Sequence, residues 1–222
     1  MINIAIDGPA GAGKSTLARA VAERLGYIYV DTGALYRTVA LFALQRGTDI
    51  YNSVAVAAML PMADIELKYV NGEQRVYLCG ENVTKIIRTP EVSAAASTVS
   101  AIAKVREYLF ELQLDMARNN NVVMDGRDIG TVVLPNADVK IYLTASPEAR
   151  ARRRYDELIE KGQDVDFDEI LKGVNERDAQ DMNRPIAPLK RADDAYLLDT
   201  TELTLEESEE ALFELIKSHI PG

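Results

Sequence analysis

The stretch Gly8-Pro9-Ala10-Gly11-Ala12-Gly13-Lys14-Ser15 limits what this chain can fold into more than any other. It fits the pattern G-x-x-x-x-G-K-S/T, a glycine-rich turn that cradles phosphate groups. Its flanks agree. Ile2 to Ile6 is a short run with β-branched residues that reads as a buried strand, and Ser15 to Leu25 is rich in Ala, Leu and Arg and reads as a helix. The residue types answer a chemical need. Glycines let backbone N–H groups approach phosphate oxygens with no Cβ in the way, and the helix N-terminus adds partial positive charge. Lys14 is placed to reach the β and γ phosphates, and the Ser15 hydroxyl to ligate Mg²⁺. The plainer alternative is a glycine-rich turn with a chance lysine; strand, loop and helix in the correct order argue against it. The loop therefore reads as a nucleoside triphosphate site, and what becomes of the nucleotide must be read elsewhere in the chain.

Composition narrows the classes. A chain of 222 residues suits one α/β domain with inserts, and 47% hydrophobic residues is ordinary for a globular protein. No apolar run approaches the roughly 18 residues of a membrane helix, and Met1 runs almost directly into the first strand, so neither a span nor a signal peptide is expected. Cys79 is the only cysteine, which rules out an internal disulfide and fits a reducing cytoplasm. The formal charge is −10, from 25 Lys and Arg against 35 Asp and Glu, which argues against general nucleic-acid or anionic-membrane binding. A nucleotide-binding protein this acidic has to gather its arginines locally around the phosphates. His219, the only histidine, lies near the end as solvated tail, so Ser-His-Asp and Cys-His catalysis and histidine metal sites drop out.

Along the chain, Tyr27 to Val30 reads as the second strand, followed by Asp31-Thr32-Gly33, with Thr32 as the expected N-cap of a helix from Ala34 to about Gln45. Tyr36 and Arg37 fall near its first turn, at the carboxyl end of a parallel strand, where open α/β sheets bind ligands. Alone, Arg37 is as readily a surface charge and Tyr36 a packing residue. Residues 48–90 change character: Ile65 to Val70 alternates, Asn71-Gly72 is a strong hairpin signal, and Arg75 to Leu78 returns, which makes an antiparallel insert at 60–90. Glu91 to Ala117 reads as one long helix with an apolar stripe, carrying Ser97 and Arg106.

Val122 to Asp125 is another buried strand, ending in Gly126-Arg127-Asp128-Ile129-Gly130; an apolar strand with an acid at its carboxyl end is a Walker B pattern. Val139 to Leu143 is the fourth strand, and Ser146-Pro147-Glu148 opens a helix with Ser at the cap and Pro at its first position. Arg150, Arg152, Arg153 and Arg154 cluster there, and a second helix, Asp168 to Asp181, follows Lys161-Gly162. Two helices joined by such a turn suit a lid over phosphates, although a solvated basic face accounts for one or two of these arginines. Arg177 and Asp181 share a helical face, whether as a ligand pair or an ordinary salt bridge. Arg184 precedes Pro185, where the helix must end. Ala195 to Asp199 is the fifth strand, and Thr204 to Ser218 an acidic, amphipathic closing helix.

Taken together, IDGPAGAGKST at 6–16, DTGALYR at 31–37, the Ser97 to Arg106 helix, DGRDIGT at 125–131 and NERD…NRPIAPL at 175–189 resemble the bacterial-type cytidylate kinase family over nearly the whole chain. Each motif is modest; their ordered co-occurrence is specific. The resemblance implies an α/β P-loop kinase fold: a five-stranded parallel sheet in order 2-3-1-4-5 flanked by helices, with an antiparallel insert and a helical lid. It implies a single kinase domain over 1–222, with a monophosphate-binding region at 32–118 and a lid at 150–183. It implies transfer of a phosphoryl group from ATP to CMP or dCMP with Mg²⁺. Gly8, Pro9, Ala10, Gly11, Ala12, Gly13, Lys14, Ser15, Thr16 and Arg153 would hold ATP, with Ser15 on the metal. Tyr36, Arg37, Arg127 and Arg184 would handle the acceptor phosphate; Ser97, Arg106 and Asp128 would read cytosine; Arg177 with Asp181 would approach the sugar; Thr32 and Asp125 complete the acceptor set. Lys14, Arg127 and Arg184 would be catalytic. Thr32 stands where some members have Ser, and Ser15 where some have Gly; both supply a hydroxyl here.

Elementary chemistry supports the same reaction. Phosphoryl transfer needs in-line positioning and positive charge rather than covalent help from protein, and the chain supplies Lys14 and arginines from separate segments without a histidine base. Arginine's planar fork suits phosphate. A GTPase switch would need an N-K-x-D segment and a transporter ATPase an L-S-G-G-Q stretch; neither occurs. A kinase for UMP, AMP or shikimate is the nearer alternative, and a non-catalytic nucleotide-binding module the more distant one. The expected protein is a cytoplasmic monomer that binds ATP and CMP or dCMP, and neither nucleic acid nor membrane.

Overall fold

The computed structural model describes residues 1–70 and 73–220. The Asn71-Gly72 turn expected from sequence lies outside the described residues, although the strands on either side pair antiparallel, with Val70 opposite Glu73. The chain divides into two compact units, Met1–Tyr29 with Asn120–Gly222, and Val30–Asn119.

The first unit is built on a parallel sheet. The sheet's strands are β1 (Asn3–Asp7), β2 (Ile28–Asp31, whose last two residues are counted with the second unit), β6 (Val122–Gly126), β7 (Val139–Thr144) and β8 (Tyr196–Asp199), in the order β2-β6-β1-β7-β8. Counted within this sheet alone, that is the expected 2-3-1-4-5. The central strands read as continuous apolar runs and are buried at successive positions alike: Ile4, Ile6, Val123, Val139, Ile141 and Leu143 form one core with Leu17 and Val21 of α1 (Lys14–Leu25) and Leu212 and Ile216 of α8 (Leu205–Lys217), and Ala5 and Met124 beside them in the chain are fully buried too. Register then places the chemistry. Ile6 is opposite Asp125 and Asp7 opposite Gly126, so both acids reach the same carboxyl edge. Gly8 follows because nothing larger fits: a Cβ there would lie 1.9 Å from the Leu143 carbonyl oxygen. Ser146 caps α6 (Pro147–Glu160) by accepting from the Ala149 amide at 3.1 Å, as its sequence predicts. Asp166 caps α7 (Phe167–Asn183), which starts slightly earlier and ends later than expected and stops at Arg184, before Pro185. Thr204 and Glu207 form a capping box on α8.

The second unit has its own core. α2 (Thr32–Gln45) packs with α3 (Ser53–Met59), α4 (Pro90–Val99) and α5 (Ala103–Asn119) through Leu35, Val39, Val56, Val92, Val99, Val105 and Leu109. The insert is a three-stranded antiparallel sheet of β3 (Ile65–Val70), β4 (Glu73–Leu78) and β5 (Glu81–Asn82). Two expectations need correction. Asp31, in extended conformation, caps α2 by accepting from the Ala34 amide at 2.9 Å, and Thr32 is already inside the helix. The single helix from Glu91 to Ala117 is two helices with a break at 100–102. Ser97, Thr98, Val99 and Ser100 are weak helix formers, and the Ser100 hydroxyl donates to the Ser97 carbonyl at 2.9 Å, drawing the backbone out of the helical ladder. Arg106 then donates to the Ser100 carbonyl across the break at 3.3 Å.

Candidate active site

In the first unit the phosphate loop runs from the end of β1 into α1. Gly13 holds the left-handed conformation at the N-cap of α1, with φ 86°, so that the chain turns into the helix with its first amides unclaimed by a side-chain cap. Lys14 is buried, and its Nζ donates to the Pro9 carbonyl at 2.7 Å. Burial, helped by the Arg127 guanidinium, pushes its pKa well below the usual lysine range, while Asp125, Asp7 and Asp181 pull the other way. Ser15 Oγ donates to Asp125 Oδ2 at 2.9 Å, and the Tyr29 hydroxyl donates to Asp125 Oδ1 at 2.8 Å. The serine of the loop and the acid of the Walker B strand are thus brought together. Thr16 lies exposed on the first turn of α1.

The segment after β6 carries the arginine–carboxylate pairs. Arg127 Nε donates to Asp181 Oδ2 of α7 at 2.8 Å. Arg184 donates to Asp128 Oδ1 at 3.2 Å and to the Ala187 carbonyl at 2.5 Å, and the side chains of this ion pair are each 5% exposed. Each arginine is held by a carboxylate from a distant segment, which fixes its direction. Asp181, which shares a helical face with Arg177, makes an ion pair with Arg127, and Arg177 lies half-buried on the same helix.

Asp7 is a residue of the site to which the sequence assigned no role. It is buried, and its two oxygens accept the amides of Ile129 at 2.8 Å and Gly130 at 2.7 Å, which anchors the π-helical turn Ile129–Val133 directly after Asp128. Burial raises its pKa to about 6, the nearby Asp128 adds to the rise, and the two amides and Lys14 oppose it. Its only signal in the sequence is its place at a strand's carboxyl end, shared with Asp125.

The four clustered arginines take four different environments. Arg150 is 2% exposed; it meets Asp178 of α7 with both terminal nitrogens, at 3.0 and 2.5 Å, and donates to the Ala10 carbonyl of the phosphate loop at 2.9 Å and to Ala145 at 2.9 Å. Arg152 lies 4.5 Å from the Phe167 ring centroid and 5.4 Å from that of Tyr155. Arg153 donates to the Thr200 carbonyl at 2.6 Å. Arg154 pairs with Glu157 on the surface.

In the second unit Asp31 organises a cationic group. Its carboxylate accepts from Arg37 at 2.9 Å and from Arg88 at 3.1 Å, a residue that no sequence motif singled out. Gly33 leaves room for this, since a Cβ there would lie 3.1 Å from Arg37 Nη1. Arg106 sits 5.4 Å from the Tyr36 ring centroid. Thr32 is buried at the start of α2, and Ser97 is half-buried on α4. So Tyr36 and Arg106 meet, as do Arg37 and Asp31.

Among the described residues, no group of three or more His, Cys, Asp and Glu is placed to hold a metal, and no helix is long and apolar enough to cross a membrane. The Ser15–Asp125 pair is an oxygen-only donor set. It fits a hard cation that keeps most of its ligands as water and phosphate oxygen, and does not fit a soft metal.

A profile of the cytidylate kinase family matches residues 4–218. The chain is 51% identical over 214 residues to a cytidylate kinase from Caldicellulosiruptor bescii, covering 96% of this chain and 95% of that protein. It is 52% identical over 204 residues to cytidylate kinase 1 from Haemophilus influenzae, covering 92% and 88%. Among solved structures, an uncharacterised protein from Eubacterium ventriosum shares the fold at 11% identity, with a TM-score of 0.55 over 98% of this chain and 99% of that one.

Proposed function

The chain belongs to the cytidylate kinase family, and we infer from that membership that it transfers the γ-phosphoryl group of ATP to CMP or dCMP, giving ADP with CDP or dCDP. The observation that carries the reading at the level of residues is an intact phosphate loop beside two arginines, Arg127 and Arg184, each oriented by a carboxylate from another segment. Loop amides and Lys14 hold the donor phosphates. Lys14, desolvated and short of negative charge, gains most when charge builds on the transferring group. Arg127 and Arg184 hold the acceptor phosphate and the group in transit, with Tyr36 and Arg37 on the acceptor phosphate as well. The acceptor phosphate is already a nucleophile, so no side chain has to take a proton from it. Ser97, Arg106 and Asp128 read cytosine, Arg177 and Asp181 meet the sugar, and Thr32 and Asp125 complete the set.

The family works with a divalent cation. We take it to be Mg²⁺, which neutralises phosphate charge when bound and would be held by Ser15, with Asp125 behind it. Residues 32–118 act as the monophosphate-binding region and 150–183 as a lid that excludes water, the competing acceptor. Arg153 is proposed for ATP: the family resemblance points to it, and its guanidinium sits on Thr200, just past β8. We place the enzyme in the cytoplasm as a monomer. A coupled ADP-release assay over CMP, dCMP, UMP, AMP and shikimate tests the reading. Turnover with CMP or dCMP far above the rest is expected; a preference for UMP, AMP or shikimate overturns it.

A further inference from the structure

Arg150 has no exposed face to offer a ligand, yet it touches the loop that binds one. Its guanidinium donates from Nε to the Ala145 carbonyl, from Nη1 to the Ala10 carbonyl and to Asp178 Oδ1, and from Nη2 to Asp178 Oδ2. Ala10 belongs to the phosphate loop, Arg150 to α6 and Asp178 to α7. The guanidinium therefore clips three segments together at a single plane. Gly11, next in the loop, packs against the same side chain: a Cβ built there would lie 3.5 Å from Arg150 Cβ and 3.9 Å from its Cγ. The loop is thus shaped at this point both by the carbonyl that Arg150 holds and by the stem it rests on.

The pair itself is an expensive way to stabilise a protein. Desolvating two charges offsets most of their attraction, and an apolar pair of similar volume often serves stability as well or better. What an apolar pair does not do is donate to a carbonyl. The Ala10 peptide needs a partner that points its carbonyl away from the phosphates and its neighbouring amides toward them, and Arg150 is that partner.

We propose that Arg150 is a positioning residue for the donor nucleotide, that Asp178 fixes its orientation, and that through this clip the α6–α7 segment sets the shape of the phosphate loop. The proposal deepens the donor side of the proposed function and rests on that reading, but it is read from ATP binding alone and not from the identity of the acceptor.

The test compares Arg150→Met, the double variant Arg150→Met with Asp178→Leu, and Arg150→Lys with the wild type, by melting temperature and by calorimetric titration of ATP and of CMP. The single Met variant leaves a buried carboxylate without its partner and should melt lowest. The double variant should recover its melting temperature while its ATP dissociation constant stays raised about tenfold, the loss of a hydrogen bond to a charged group. Arg150→Lys keeps the charge but loses the fork, and should show weakened ATP binding with CMP binding unchanged. If ATP affinity returns together with the melting temperature in the double variant, or is unaltered in Arg150→Lys, the pair is structural only and the proposal fails. A wild type that binds ATP but phosphorylates some other acceptor would overturn the function and leave this test standing.

Discussion

Lys14 and Asp128 are single residues on which the proposed chemistry can be tried. Lys14 is buried with one carbonyl partner and a depressed pKa, so its charge is only partly compensated until phosphate arrives. Replacing it with Met should cost about 3 kcal/mol or more of transition-state stabilisation, with little change in melting temperature. Near-normal kcat in that variant removes Lys14 from the mechanism. Asp128 is held by Arg184. Its carboxylate can accept from the amino group of cytosine, whereas uracil presents an oxygen there. Asp128→Ala should lower kcat/KM for CMP by about 1–3 kcal/mol and for UMP by much less. An equal loss for both substrates means that Asp128 serves by holding Arg184 and not by reading the base. Asp7 gives a pH signature. Its carboxyl keeps a proton in the folded chain up to about pH 6, whereas 3.8 is its ordinary value, so the unfolded chain loses that proton first. The folded state binds more protons within that window, and stability falls as pH rises through it, by about 3 kcal/mol in total. Unfolding free energies of wild type and Asp7→Asn should therefore converge or cross as pH rises from the lower limit to the upper one and run parallel above it. A difference that is flat across the window refutes the raised pKa.

Elements were legible where pattern is local. Strand β1, the phosphate loop and α1 follow from a β-branched run, a glycine spacing and a helix-forming run. The cap at Ser146 follows from a side chain that reaches an amide three residues on, whereas the same rule missed Asp31 as the cap of α2 and left the capping role of Thr204 to the structure. The break between α4 and α5 was not legible, because an apolar stripe continues through it; at the break the Ser100 hydroxyl donates to the Ser97 carbonyl and the Ala101 and Ile102 amides turn to carbonyls three residues back. The firm link between α6 and α7 is the buried Arg150–Asp178 pair; beyond it Arg152 stacks on Phe167 and Tyr155, a contact of low cost to break, while Arg154 and Lys161 pair with Glu157 within α6 and its C-cap. Hydrogen exchange with and without a bisubstrate analogue should show added protection over 150–183. Protection unchanged there means a static surface and no lid.

The whole molecule distributes its charge unevenly. The net charge is −10, yet arginines are held among carboxylates in each unit. With an oxygen-only pair at Ser15 and Asp125, chelation of divalent cations should abolish turnover without lowering the melting temperature, and Mg²⁺ should restore it. Turnover that survives chelation means that Lys14 and the arginines suffice. The amino-acid sequence by itself determined the parallel sheet, the phosphate loop and the residue types around it, because apolar strand runs, glycine spacing and helix-forming runs act within a few residues of chain. Only the tertiary structure decided what each charge does. Asp7 meets amides 122 and 123 positions away, and Arg150 meets the phosphate loop across 140. No local rule distinguishes Arg150 from Arg153 on one helix. Packing against α7 buries one beside Asp178 and places the other against Thr200, and that choice is made by partners that the chain brings near only when it folds.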